Sequence, residues 1–227
     1  MGRYTAVLIK ACAFLMGINM IVINNILDVE AHINESKIVI FDLDDTLYSE
    51  KDYVRSGFRQ IAALFPQIPD TEETLWDFFE AGKPAIDCFI DKNSISPQLK
   101  SQCLSAYRTQ EPDIKLYPGV RDMLGRIKQH FKLGLITDGR PEGQRAKIKA
   151  LKLDDYFDNI IITDEIGGIS YRKPHPMSFR LMASYFSAKY SEMCYIGDNE
   201  KKDVVGSQSL GIKAILFDNR DGLYSKR

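Results

Sequence analysis

Apolar residues along the chain follow two rhythms. Five short runs rich in β-formers each close on an aspartate: 37–42 (KIVIFD), 133–138 (LGLITD), 160–164 (IIITD), 193–198 (MCYIGD) and 214–218 (AILFD). Continuous apolar runs of this length are how strands covered on both faces look, with the acids at their carboxyl ends. Between the later runs the spacing lengthens to a helical period over 118–131, 141–151, 174–190 and 201–210, with Pro near several starts and Gly211 closing the last. Alternating strand and helix from about 115 to 219 predicts an α/β core, a Rossmann-like parallel sheet joined by crossovers, in which ligands sit at the carboxyl ends of the strands. The order of the strands is not legible.

Residues 50–115 break the alternation. They hold no strand-like run, and 54–65, 71–81, 85–90 and 97–107 read as amphipathic helices. A helical insertion directly after the first strand rises over that strand's carboxyl end, the place of a lid. The expected organisation is a core of 37–49 and 116–227, an inserted helical unit of 50–115, and an apolar extension of 1–36.

That extension changes the picture in one respect. From 6 to 23 only Lys10 and Asn19 are strongly polar, so a membrane contact through 6–23 has to be weighed. The unbroken part, 11–23, is shorter than the roughly 20 residues a bilayer core needs, and no A-x-A cleavage pattern comes after it. Ala6 also stands where an N-myristoyl signal wants Ser or Thr. A buried, mostly apolar helix is the favoured reading over an anchor.

Charge and cysteine content narrow the class. With 30 Lys+Arg against 31 Asp+Glu over 227 residues there is no basic footprint, and nucleic acid is not an expected partner. Cys12, Cys88, Cys103 and Cys194 form no C-x-x-C pair and read as buried thiols of a reducing, cytoplasmic compartment. His32, His130 and His175 are too scattered for a zinc site or a Ser-His-Asp arrangement. Oligomeric state is not legible.

Candidate chemistry concentrates at the strand ends. Asp42-Leu43-Asp44-Asp45-Thr46 closes the first run, Thr137-Asp138-Gly139 the second, Lys173 sits in a Tyr-Arg-Lys-Pro turn after the third, and Asp198 with Asp203 forms GDNEKKD after the fourth. Each is weak alone; their order and strand context carry the signal. In that order they resemble the four motifs of the haloacid dehalogenase superfamily, over roughly residues 37–220, with 50–115 similar to its C1-type helical cap.

The resemblance implies a Mg²⁺-dependent phosphatase acting on a small-molecule phosphomonoester, a nucleotide monophosphate or sugar phosphate. Asp42 would be the nucleophile that forms an aspartyl-phosphate and Asp44 the acid and base, two nearby acids pushing their pKa values apart. Thr137, Asp138, Gly139, Lys173 and Tyr48 would contact substrate, and Asp42, Asp44 through its carbonyl, and Asp198 would hold the metal. Asp203 would act as an outer-shell acceptor or partner of Lys173. Selectivity is expected from Tyr48, Ser49, Arg55, Arg59, Tyr107 and Arg108. A phosphosugar mutase of the β-phosphoglucomutase type and a non-catalytic scaffold on the same fold are the alternatives; an acid at Asp44 argues against dehalogenation.

Overall fold

The computed structural model describes residues 20–223. Six parallel strands form one sheet: β1 (Ile21–Ile23), β2 (Ile38–Phe41), β3 (Lys132–Thr137), β4 (Asn159–Ile162), β5 (Met193–Gly197) and β6 (Lys213–Phe217), in the order β1-β6-β5-β2-β3-β4. The five expected runs are β2 to β6. β2 lies between β3 and β5, with Phe41 level with both Leu135 and Ile196. The chain moves from β2 to one side through β3 and β4 and returns on the other through β5 and β6, so the switch between β2 and β5 opens a crevice at their carboxyl ends.

Strand alternation divides the core. Val39, Phe41, Leu133, Leu135 and Ile196 pack on one face against helices α5 (Val120–Lys128) and α6 (Pro141–Leu151). Ile38, Ile40, Ile136 and Tyr195 pack on the other against Phe179 and Met182 of α7 (Met177–Tyr185). Helix α5 is shorter than the expected 118–131 because it starts only after Gly119, whose φ of +80° side chains rarely tolerate.

The apolar N-terminal run is outside the described residues up to position 19. Its continuation is a strand rather than the expected helix: Ile21–Ile23 pairs in parallel with Ile215–Phe217 at the sheet edge. Ile26, Val29 and Ile33 are then buried in the same core, so residues 20–36 are part of the core layer rather than an appendage. Among the described residues no helix is long and apolar enough to cross a membrane.

Between β2 and α5 stand four helices, α1 (Glu50–Ala62), α2 (Thr71–Glu80), α3 (Ala85–Lys92) and α4 (Lys100–Arg108). They bury a separate cluster of Val54, Phe58, Ile61, Leu75, Trp76 and Phe89. α1 begins four residues before the expected 54 because the Asp45 carboxylate accepts from the Glu50 N–H at 2.9 Å.

Candidate active site

Strand geometry places the acids. The Asp42 N–H donates to the Ile196 carbonyl at 2.8 Å, so Asp42 continues the ladder one residue past β2, and Asp198 comes directly after β5 on the neighbouring strand. Between them Lys173, reaching in from the turn that ends in a cis Lys173-Pro174 bond, sets its ammonium on Asp42 Oδ1, on Asp203 Oδ1 at 2.8 Å and on the Tyr195 hydroxyl at 2.9 Å. The Lys173 side chain is 2% exposed. Burial works against its charge, but Asp203 and Asp42 outweigh it and hold the pKa well above the usual lysine range.

Asp203 owes its position to Gly197 and Asn199. A Cβ at Gly197 would lie 2.3 Å from Asp203 Oδ2, so only glycine leaves room there. Asn199 accepts from the N–H groups of Lys201 and Lys202 and donates its own N–H to Asp203 Oδ2 at 3.0 Å. The expected helix over 201–210 opens as a π-helical turn, Glu200–Val204, before the α-helical Val205–Gln208, a geometry often found at functional sites.

Asp44 is held by Tyr48 and by two groups that sequence reasoning missed, Lys147 and Gln144. Lys147 donates to Asp44 Oδ1 at 2.7 Å, Gln144 to Oδ2 at 2.7 Å, and the Tyr48 hydroxyl to Oδ1. Burial alone would raise the Asp44 pKa; the Lys147 ammonium and these hydrogen bonds bring it below the ordinary carboxylate value. The available signal was the spacing of Gln144 and Lys147, polar residues three apart in line with buried Ile148 and Leu151 on α6. The Gln144 amide nitrogen also meets Thr137 Oγ1 at 2.9 Å and the Asp138 carbonyl, while its carbonyl oxygen is buried without a partner.

A cavity of about 840 Å³ opens over these groups, lined by Asp42, Asp44, Asp138, Gly139, Lys173, Asp198 and Asp203 below and by α1 to α4 above. Several expectations need correction. Tyr48 is fully buried and turned to Asp44, and Thr137 is fully buried behind Gln144; neither is on the cavity wall. The Asp138 carboxylate accepts from Thr163 at 2.8 Å and the Lys173 N–H at 3.0 Å, tying three loops together. Arg55 and Arg59 turn to Glu72, and Arg55 lies over the Trp76 ring at 4.1 Å, so neither reaches the cavity, and Ser49 is not on its wall. Tyr107 and Arg108 do line it. Of the other strand-end acids, Asp164 pairs with Arg172 at 2.7 Å and Asp218 is exposed.

The donor set suits a hard cation. Asp42, Asp198 and Asp203 each offer a carboxylate oxygen within 4.8 Å of the others, and the Lys173 ammonium meets two of the three, Asp42 and Asp203. Burial, with repulsion from Asp42 and Asp203, pushes Asp198 up to about 9, and burial, partly offset by Lys173, pushes Asp42 up to about 7. A divalent cation among these oxygens would relieve that cost. Both oxygens of Asp203 already accept from Lys173, Tyr195 and Asn199, which fits an outer position.

Comparison with known proteins agrees with this geometry. The family described as haloacid dehalogenase-like hydrolase matches residues 39–217. A glyceraldehyde 3-phosphate phosphatase of Pyrococcus abyssi is 30% identical over 80% of this chain and 81% of its own, and a pyrophosphatase PpaX of Bacillus cereus is 27% identical over 77% and 80%. The crystal structure of a subfamily IA hydrolase of the same superfamily from Geobacter sulfurreducens shares the fold, with a TM-score of 0.62 at 19% identity over 81% of this chain and 88% of that one. With Asp42, Lys173 and Asp198 gathered at the carboxyl ends of a parallel sheet, the chain belongs to the haloacid dehalogenase-like hydrolases.

Proposed function

We propose that this hydrolase is a Mg²⁺-dependent phosphatase of small soluble phosphomonoesters, working through an aspartyl-phosphate on Asp42. The observation that carries the reading is the placing of Asp42: at the strand end, one oxygen taken by Lys173, with a second acid two residues on. The phosphatase names of the two curated relatives support it.

In this reading Lys173 holds Asp42 Oδ1 and offsets the crowding of nucleophile and phosphate, leaving Oδ2 to attack phosphorus. The ester P–O bond breaks, and Asp44, ionised while Lys147 holds it, takes a proton from solvent as it turns to the leaving oxygen and passes it to the departing alcohol. Water then attacks the aspartyl-phosphate, returns a proton to Asp44 and releases inorganic phosphate, with Asp42 restored. Asp44 has to exchange its contact with Lys147 for the leaving oxygen during this cycle. Mg²⁺, held by Asp42, Asp198 and the Asp44 carbonyl, would supply charge stabilisation to the transferring phosphoryl group. The helices of 50–115 serve as a C1-type cap over the core.

The test is phosphate release from a panel of small phosphate esters, with Mg²⁺ and with EDTA. Release that stops in EDTA and falls by about 10³-fold or more in Asp42→Asn, whose carboxamide cannot attack, is expected. Turnover that survives EDTA removes the metal, and turnover that survives Asp42→Asn removes the covalent step.

A further inference from the structure

The upper wall of the cavity differs from its floor in kind. Tyr53 and Phe58 of α1, Phe79 of α2 and Tyr107 of α4 all line it, and their rings touch one after another. Tyr53 meets Tyr107 edge-on at 5.9 Å, Tyr107 meets Phe58 at 6.0 Å, and Phe58 meets Phe79 edge-on at 6.0 Å. Val54, Ile86 and Leu104 add to the surface, while charged and polar residues of the helical unit border the cavity at helix ends: Glu50 at the start of α1, Asp87 in the first turn of α3, and Arg108 and Thr109 at the end of α4.

The leaving group of any substrate held on Asp42 has to occupy this space. A polyhydroxylated sugar pressed on such a wall gives up water hydrogen bonds without replacement, each a loss of about fivefold or more in binding. The π-face of a planar ring instead carries no hydrogen-bonding groups and gains contact with aromatic faces and edges. The volume, about 840 Å³, is within the range of small-molecule sites and leaves room for a ring system beyond the phosphoryl group.

We propose that the aromatic wall of Tyr53, Tyr107, Phe58 and Phe79 is a ring-recognition subsite, and that the enzyme selects phosphomonoesters whose alcohol carries a planar ring, as a nucleoside does, over sugar and open-chain phosphates. This rests on the phosphatase reading and narrows its substrate class.

Two measurements on the full chain test it. The first compares kcat/KM for uridine 5′-monophosphate, glucose 6-phosphate and glycerol 3-phosphate with Mg²⁺ present. The nucleotide is expected to lead by about tenfold or more, and Phe79→Leu to lower its advantage over glycerol 3-phosphate about fivefold while Phe79→Tyr preserves it. Glucose 6-phosphate equal to or better than the nucleotide, or a Phe79→Leu protein slowed alike on every ester, overturns the inference. The second measures calorimetric binding of the same compounds to Asp42→Asn, which reads recognition without turnover. Tighter nucleotide binding there, with no phosphate released by the wild-type chain, would sink the phosphatase reading and leave the subsite standing; equal binding of all three would sink the subsite.

Discussion

The floor and the roof of the cavity are built from opposite materials. Beneath it, Lys173 and Lys147 are buried with the acids they meet, their side chains 2% and 6% exposed. Above it, the helices are held by apolar and aromatic packing, and charges such as Arg59 pair on the outside, with Asp113 at 3.3 Å. Buried pairs are costly to assemble and severe to break, whereas exposed pairs contribute little. The floor therefore holds its charges in one arrangement, whereas the roof depends little on where its charges stand. Lys147 joins the two: it grips Asp44 below and lies over the Tyr53 ring of α1 at 4.3 Å.

The hardest way to strain this contrast is to remove the floor's central cation. Lys173→Met leaves Asp42 and Asp203 facing each other without a counter-charge. We expect turnover to fall by about 10³-fold or more and stability by about 3–5 kcal/mol, read by urea unfolding. A variant as stable as the parent would show that the floor is not organised by this ammonium.

Lys147→Met separates holding from binding. If Lys147 positions Asp44 for proton transfer, kcat falls by about 10²-fold with KM little changed. A rise in KM at constant kcat would make Lys147 a substrate contact instead.

The third test uses protons. Burial lifts Asp198 to about 9, Glu50 to about 8 and Asp42 to about 7 in the metal-free protein. Because folding raises these values, the folded chain binds protons that the unfolded chain has released, so stability grows as pH falls from 9 toward 6. A rise in Tm of about 2–4 °C per kcal/mol gained is expected in EDTA. Added Mg²⁺ should stabilise more at pH 8 than at pH 6, where it competes with protons for the same oxygens. Asp44 runs the other way: its lowered pKa helps at neutral pH, and that help is lost only as pH falls through its folded value, below 3.8. A metal-free Tm that is flat or falls between pH 9 and 6 would contradict this picture of the floor.

The smallest effect belongs to the roof's outer surface. Arg55→Ala removes its pairing with Glu72 and Glu73 and its place over Trp76, and should cost less than about 1 kcal/mol with kcat/KM within about twofold on every substrate. A selective loss on one substrate would bring Arg55 into the recognition of the leaving group after all.

What the sequence determined by itself was whatever is encoded locally: five strand runs ending in acids, the helices between them, and the motif residues Asp42, Asp44, Lys173, Asp198 and Asp203, which stand at strand ends or in adjoining turns. A strand that is buried on both faces leaves its signature in consecutive residues, and a side chain just past its end has few directions to take. Tertiary structure alone decided the rest. Ile21–Ile23 looked like the tail of a longer apolar run, and only pairing with β6 made it a strand. Arg55 and Tyr53 are two residues apart on one helix, yet one faces Glu72 and the other the cavity, because packing against α2 and α4 chose the rotation of α1. Lys147 and Gln144 read as ordinary polar positions of a helix until the sheet brought Asp44, a hundred residues earlier in the chain, within hydrogen-bond reach. A contact over that separation leaves no local pattern, since its cause is the closing of the fold rather than the spacing of neighbours.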